Sequence, residues 1–240
     1  MSRYPSRGRH GHVVDTLGTR IVTGRVPPGS PIDPVALERE FRVSRSVVRE
    51  SLRVLTAKGL VDARPRLGTY VLAREEWVSL DPDVLRWRFS GPPDPGFLDE
   101  LFEVRLIVEP MTTRLAALRR TPDDLAALGD ALEAMRTARG DSPEAHVVAD
   151  VAFHAALLAA AHNSLLDHLS PVVETGLQVR DAFVHDTLAH DAVGEHEAVL
   201  DAVAAADPAR SEHAMRALLE RSAADVDTAW AMREPHPDPT

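Results

Sequence analysis

Between Val13 and Arg25 apolar residues recur at Val13, Leu17, Ile21 and Val22, a helical period closed by Gly24 and VPPGSP. Asp33-Pro34 has the form of an N-cap with proline at the first helical position, opening a short helix to Phe41-Arg42. Ser44 caps a third helix that turns Val48, Leu52 and Leu55 inward and stops at Gly59. The period then changes. LVDARPRLGTYVLA holds two β-prone runs, Leu60 to Ala63 and Thr69 to Leu72, around a Pro/Gly turn. Residues 75–96 read as a linker with one short helix from Pro82 to Phe89, bounded by GPPDPG.

Beyond that boundary only helical patterns follow. They run from Phe97 to Arg120, Pro122 to Arg139, Pro143 to Ala161, Ser164 to Thr187 with a bend at Pro171, Val193 to Ala206, and Pro208 to Met232. Asn163 reads as a helix C-cap. The expected fold is mainly α, an N-terminal winged helix-turn-helix with a small β-hairpin wing followed by a C-terminal all-α antiparallel helical bundle. Its parts are a basic disordered arm (1–12), the winged module (13–74), the linker (75–96), the bundle (97–232) and a disordered tail (233–240).

Charge adds a division of labour. The 240 residues carry a formal −10, yet residues 1–74 hold 14 Lys+Arg against 6 Asp+Glu (+8), and the rest hold 13 against 31 (−18). A basic module joined to an acidic one suits a first part that meets a polyanion. Two solvated surfaces of opposite sign are the plainer alternative. No cysteine is present, which excludes disulfides and thiolate metal sites. MSRYPSRGRHGH lacks the apolar core of a signal peptide, and no apolar run reaches the roughly 18 residues a bilayer requires. A cytoplasmic protein with no membrane partner is expected.

In a winged helix-turn-helix the third helix enters the major groove and the hairpin touches the flanking DNA. Its first turns would present Ser44, Arg45, Ser46 and Arg49. Arginine forks onto guanine O6 and N7 or onto phosphate, and serine hydroxyls suit phosphate oxygens. Arg64, Arg66 and Gly68 fall at the wing, where a residue without Cβ lets the backbone approach nucleic acid. The bland alternative is a solvated Arg-rich helix in an ordinary helical domain.

In the bundle, DVAFH sets Asp150 and His154 at i and i+4, one turn apart on one helix face, as two ligands of one metal require. His196 in GEHEAVLDAV would complete a carboxylate-imidazole set for a divalent metal, Zn2+, Mn2+ or Ni2+. A surface Asp-His hydrogen bond explains the pair equally, since 11 histidines make chance pairs common. Arg105 sits amid Leu101, Phe102, Val104, Ile107 and Val108, so its guanidinium needs an anion. Two partners remain open: an internal carboxylate (Glu103, Glu109 or Asp150), or the carboxylate of a bound small molecule held bidentately.

The string LEREFRVSRSVVRESLRVLTAKGLVDARPRLGTYV resembles the DNA-binding domain of GntR-type bacterial transcription regulators, through its V-S-R-x-x-V-R-E-x-L-x-x-L-x-x-x-G-L-V run and R-x-x-G-[TS]-x-V wing. The resemblance implies that Arg45, Arg49 and Gly68 contact DNA, supported by Ser44, Ser46, Arg66 and Thr69. Val35 stands where some members place a further DNA-contacting arginine. DVAFH, HNSLL, EHEAVLDAV and DPARSEHAMRALLERS resemble the FCD effector domain of the FadR subgroup, in which an Asp and three His hold a divalent metal.

Asp150, His154 and His196 match three of those ligands. Leu218 stands where the pattern expects the fourth, and His213 is five residues off that position. The W-x-x-L-D-x-D-V-L-x-W segment is similar to the galactonate-operon branch of these regulators. What the resemblance implies is a homodimeric repressor of a carbon-catabolism operon on an inverted-repeat DNA operator, released by a small carboxylate effector such as a sugar acid. A metal-dependent hydrolase with an appended DNA-binding-like domain, and a constitutive DNA binder without effector, are the competing classes.

Overall fold

Helix α1 (Gly8–Val22) turns Val14, Leu17, Ile21 and Val22 into the core of the first of two units, Met1–Pro93 and Asp94–Thr240. The computed structural model describes residues 8–65, 68–90, 95–138, 143–184 and 192–233. Residues 8–12, expected as part of a disordered arm, are helical. Gly11 is buried there, and the His12 ring meets Phe41 edge-on at 5.8 Å. Residues 1–7 and 234–240 of the expected arm and tail lie outside the described residues.

Helix α2 (Pro34–Phe41) starts behind Asp33, whose carboxylate accepts from the Val35 amide at 2.9 Å. It stops at Arg42, which is left-handed (φ 50°). Helix α3 (Arg45–Ala57) buries Val48, Ser51, Leu52 and Leu55. Ser44 holds the N-cap position, but its hydroxyl bonds Ser46 Oγ at 2.8 Å instead of a helix amide. The chain leaves α3 through Gly59 (φ 73°), where a Cβ would lie 2.3 Å from the Glu76 carbonyl oxygen. Only glycine fits that turn.

Strands β2 (Val61–Arg64) and β3 (Gly68–Val71) pair antiparallel with Val61 opposite Val71. A strand that the sequence pattern does not announce, β1 (Pro31–Ile32), occupies the other edge of β3, so the order is β1-β3-β2. Two residues carry no alternation to read.

The segment expected as a linker is part of the first unit as far as α4 (Pro82–Phe89). Trp87 is fully buried against Gly18, where a Cβ would stand 2.6 Å from the indole, and its Nε1 donates to Asp15 at 2.8 Å. Lys58, at the end of α3, is buried between Asp81 and Asp83 at 2.7 and 2.9 Å. Apolar and ionic contacts together fasten α4.

The second unit comprises α5 (Pro95–Arg119), α6 (Pro122–Ala138), α7 (Pro143–Ala160), α8 (Ser164–Asp167), α9 (Ser170–Val184), α10 (Val193–Ala204) and α11 (Pro208–Arg233). Helix α5 packs along α11 and against α7, α9 and α10. Leu128, Met135, Phe153, Val199, Met215 and Leu219 fill the core. The bent helix expected from Ser164 is two helices, with Pro171 in the first turn of α9, where its missing N–H has no partner to lose. Asn163 is not a C-cap. It caps the start of α8, its side chain accepting from the Leu165 amide at 3.1 Å, and His162 (φ 47°) takes the left-handed position ending α7. No strand occurs among the described residues of this unit, and no described helix is long and apolar enough to cross a membrane.

Candidate nucleic-acid interface and metal centre

The start of α3 presents Ser44, Arg45, Ser46 and Arg49 together, all exposed. The helix turns its apolar residues inward, so its polar face collects at this end. Glu50, the carboxylate beside Arg49, is held by Arg53 at 3.1 Å. Gly68 opens β3 at φ 76° with nothing within 4 Å of where a Cβ would be, and Thr69 follows, half-buried. Arg66 lies outside the described residues. Arg64 stacks on Tyr70, 5.1 Å from its ring centre. Val35 is half exposed on α2.

In the second unit, α7 carries Asp150 and His154 one turn apart, and α10 brings His196 to them. One donor atom from each lies within 4.8 Å of the others, and all three residues are buried. His196 Nε2 is 3.0 Å from Asp150 Oδ1. His154 Nε2 is 3.4 Å away, too poorly directed for a hydrogen bond, and is buried without a partner. The other ring nitrogens are tied down. His196 Nδ1 donates to the Ala192 carbonyl at 2.7 Å, and His154 Nδ1 meets Glu109 Oε2. Protons placed on Nδ1 leave both Nε2 lone pairs aimed toward Asp150, the tautomer a metal ligand adopts.

Glu109 also accepts from Arg105 Nε at 2.5 Å. Arg105 is only 3% exposed, and its Nη2 is buried without a partner. Gly176 on α9 makes room for it, since a Cβ there would lie 2.8 Å from Arg105 Cδ. The internal salt bridge therefore exists, and one edge of the guanidinium is left over.

Burial opposes every charge here, and the neighbours prevail. It raises Glu109, which Arg105 and His154 nevertheless bring down to about 2. It raises Asp150, which the close approach of His154 and His196 holds well below the carboxylate range. It lowers His154, which Glu109 and Asp150 lift to about 9. The site favours positive charge at His154 Nε2, and a divalent cation on the three converging donors meets that demand, so the residues present fit a metal. Leu218 contributes an apolar wall where the fourth ligand was expected, and His213 is exposed.

Comparison with known proteins agrees with both halves. Residues 10–71 match the bacterial regulatory proteins of the gntR family, and residues 100–221 match the FCD domain. The chain belongs to the GntR family, in its FCD-domain branch. This GntR-family protein is 37% identical over 216 residues to the galactonate operon transcriptional repressor of Escherichia coli K12, covering 88% of this chain and 93% of that one. It is 38% identical over 207 residues to the HTH-type transcriptional regulator LutR of Bacillus subtilis 168, covering 83% and 92%. A solved structure of Lar from Listeria monocytogenes shares the fold, with a TM-score of 0.66 at 17% identity over 97% of this chain and 100% of that one. The family consists of transcription regulators, which removes the hydrolase reading.

The structure of this GntR-family protein unites Asp150, His154, His196 and Arg105 around one small space. The sequence offers Glu109 only as a salt-bridge partner of Arg105, yet in the fold it also orients His154. Its position one turn after Arg105 was the available signal. Arg180 and Ser222, which border the same space, gave no sequence signal, because only the packing of α9 and α11 brings them there.

Proposed function

We propose that this GntR-family protein represses a carbon-catabolism operon, binding an inverted-repeat operator as a homodimer and releasing it when a small carboxylate effector, a sugar acid, occupies the metal centre. The DNA half rests on the Ser44, Arg45, Ser46 and Arg49 face of α3 together with the wing from Gly68 and Thr69, to which Arg66 belongs by sequence. The dimer is supported by α5. Val104, Ile107, Met111 and Leu118 are exposed on one stripe at coiled-coil spacing. Glu103 toward one end and Arg114 toward the other make antiparallel pairing with a second copy self-complementary.

The observation that carries the effector half is the buried, partnerless His154 Nε2 converging with His196 Nε2 and Asp150 Oδ1. Two imidazoles and a carboxylate suit Zn2+ best, with Mn2+ or Ni2+ as alternatives. When bound, such an ion supplies Lewis acidity that attracts a carboxylate and its neighbouring hydroxyl. Asp150, His154 and His196 hold it, Glu109 and the Ala192 carbonyl fix the two rings, and Arg105 offers Nη2 to the anion. The galactonate repressor named above acts on a sugar-acid operon, which favours the same effector class here. Elemental analysis of purified protein tests the centre: one divalent ion per chain is expected, falling to a trace in His154→Ala. Wild-type protein without stoichiometric metal would refute it.

A further inference from the structure

Arg42 ends α2 in the left-handed region, at φ 50° and ψ 49°, where the amides of Arg42 and Val43 both turn back to the Glu38 carbonyl. Glycine takes such a position without strain, and a residue with a Cβ does not. Two other described non-glycine residues have positive φ, His162 and Ala206. His162 is held by Asp124 at 2.8 Å, and Ala206 carries only a methyl. Arg42 differs from both. Its side chain is exposed and makes no ion pair among the described residues. A second cation shares the turn. Arg9, exposed in the first turn of α1, brings Nη1 to 3.5 Å from the Arg42 carbonyl oxygen, and it too has no described carboxylate partner. That part of α1 is fixed against the start of the helix-turn-helix by the His12 ring on Phe41 and by the Ser51 hydroxyl, 3.5 Å from the His10 carbonyl oxygen. Carboxylates that could neutralise the two arginines are engaged elsewhere: Glu40 by Arg20 at 2.6 Å, and Glu50 by Arg53 at 3.1 Å. A strained backbone that presents an unpaired cation points to a task for the side chain.

Resting on the DNA half of the reading above, we propose that Arg42 and Arg9 form a phosphate clamp at the α2–α3 turn, gripping the DNA backbone beside the groove that α3 enters. In a helix-turn-helix the helix before the recognition helix crosses the sugar–phosphate backbone. Its last residue here is Arg42, two positions ahead of Ser44, which sets the guanidinium over phosphates and away from base edges. The clamp adds affinity and holds Arg45 and Arg49 in register without itself reading sequence.

Arg42→Gly separates this role from a structural one, since it deletes the cation and also relieves the left-handed backbone. Its melting temperature is expected to equal or exceed that of wild type. Affinity of the full-length protein for a mixed-sequence DNA duplex should fall about tenfold, and the log–log salt slope should flatten by about 0.9. The same loss is expected on an operator recovered by selection, because a phosphate contact weakens binding alike across sequences. Arg42→Lys should retain the slope, and Arg9→Gln combined with Arg42→Gly should flatten it by about 1.8. Unchanged affinity and slope in Arg42→Gly overturn the clamp. So does a lowered melting temperature, which would make Arg42 a support of the turn, and so does a loss confined to the selected operator, which would make it a base reader. Arg49→Ala tells this failure from failure of the DNA reading itself. Binding lost in Arg49→Ala but kept in Arg42→Gly refutes the clamp alone, whereas wild type that binds neither duplex at low salt refutes both.

Discussion

Arg105, Glu109 and His154 form a chain of charges in which one carboxylate serves two masters. Glu109 Oε1 holds Arg105 and Oε2 holds His154, so an anion that engages Arg105 reaches the proposed metal ligand through a single residue. Glu109→Gln should reduce metal affinity by about 10–100-fold, as losses of a ligand-orienting partner do, measured by competition with a chromophoric chelator. Gly176→Ala should act from the other side, displacing Arg105 and weakening aldonate binding while metal content is kept. At this scale the sequence was partly legible. The one-turn pairs Asp150/His154 and Arg105/Glu109 are local and follow from helical spacing. The approach of His196 to Asp150 spans 46 positions and needs the folded bundle. The Ala192 carbonyl could not be read at all, because every residue carries one.

Among the elements, α4 shows how a segment that reads as a linker becomes structural. Asp15 on α1 accepts from Trp87 Nε1 and pairs with Arg86, and burial of Asp15 is outweighed by these two partners, so its carboxyl lies below its ordinary value. A depressed carboxyl contributes stability above its unfolded value, and that contribution is lost as pH falls through the folded one. Asp15→Ala should therefore destabilise the protein by about 1–3 kcal/mol near neutrality, since it strands the indole N–H. The difference from wild type should shrink toward acid pH in paired thermal melts. Caps and turns were legible here, with Asp33-Pro34 and Gly59 read directly from the chain. The first turn of α1 and the strand β1 were not, the one lacking apolar periodicity and the other too short to show any.

The whole molecule combines a basic first module with an acidic remainder, and its DNA affinity should depend on both Arg49 and a second copy. Arg49→Ala should weaken operator binding severely, and wild-type affinity should fall steeply with salt, by a log-log slope of about −0.9 per phosphate neutralised. Ile107→Glu puts a charge on the exposed stripe of α5 and should convert the proposed dimer to monomer in light scattering, with loss of high-affinity binding to the paired half-sites. A wild-type monomer at micromolar concentration would contradict the dimer.

The proposed coupling of metal-held effector to operator is measured most directly by operator release. Fluorescence anisotropy would follow a labelled duplex recovered by selection from random sequence, with and without saturating six-carbon aldonate. Wild-type operator affinity should fall by about 5–150-fold on adding the aldonate. His154→Ala, and wild type stripped of metal, should bind the operator normally and fail to release it. Release that persists undiminished in both would show that Asp150, His154 and His196 do not hold the ion through which the effector acts.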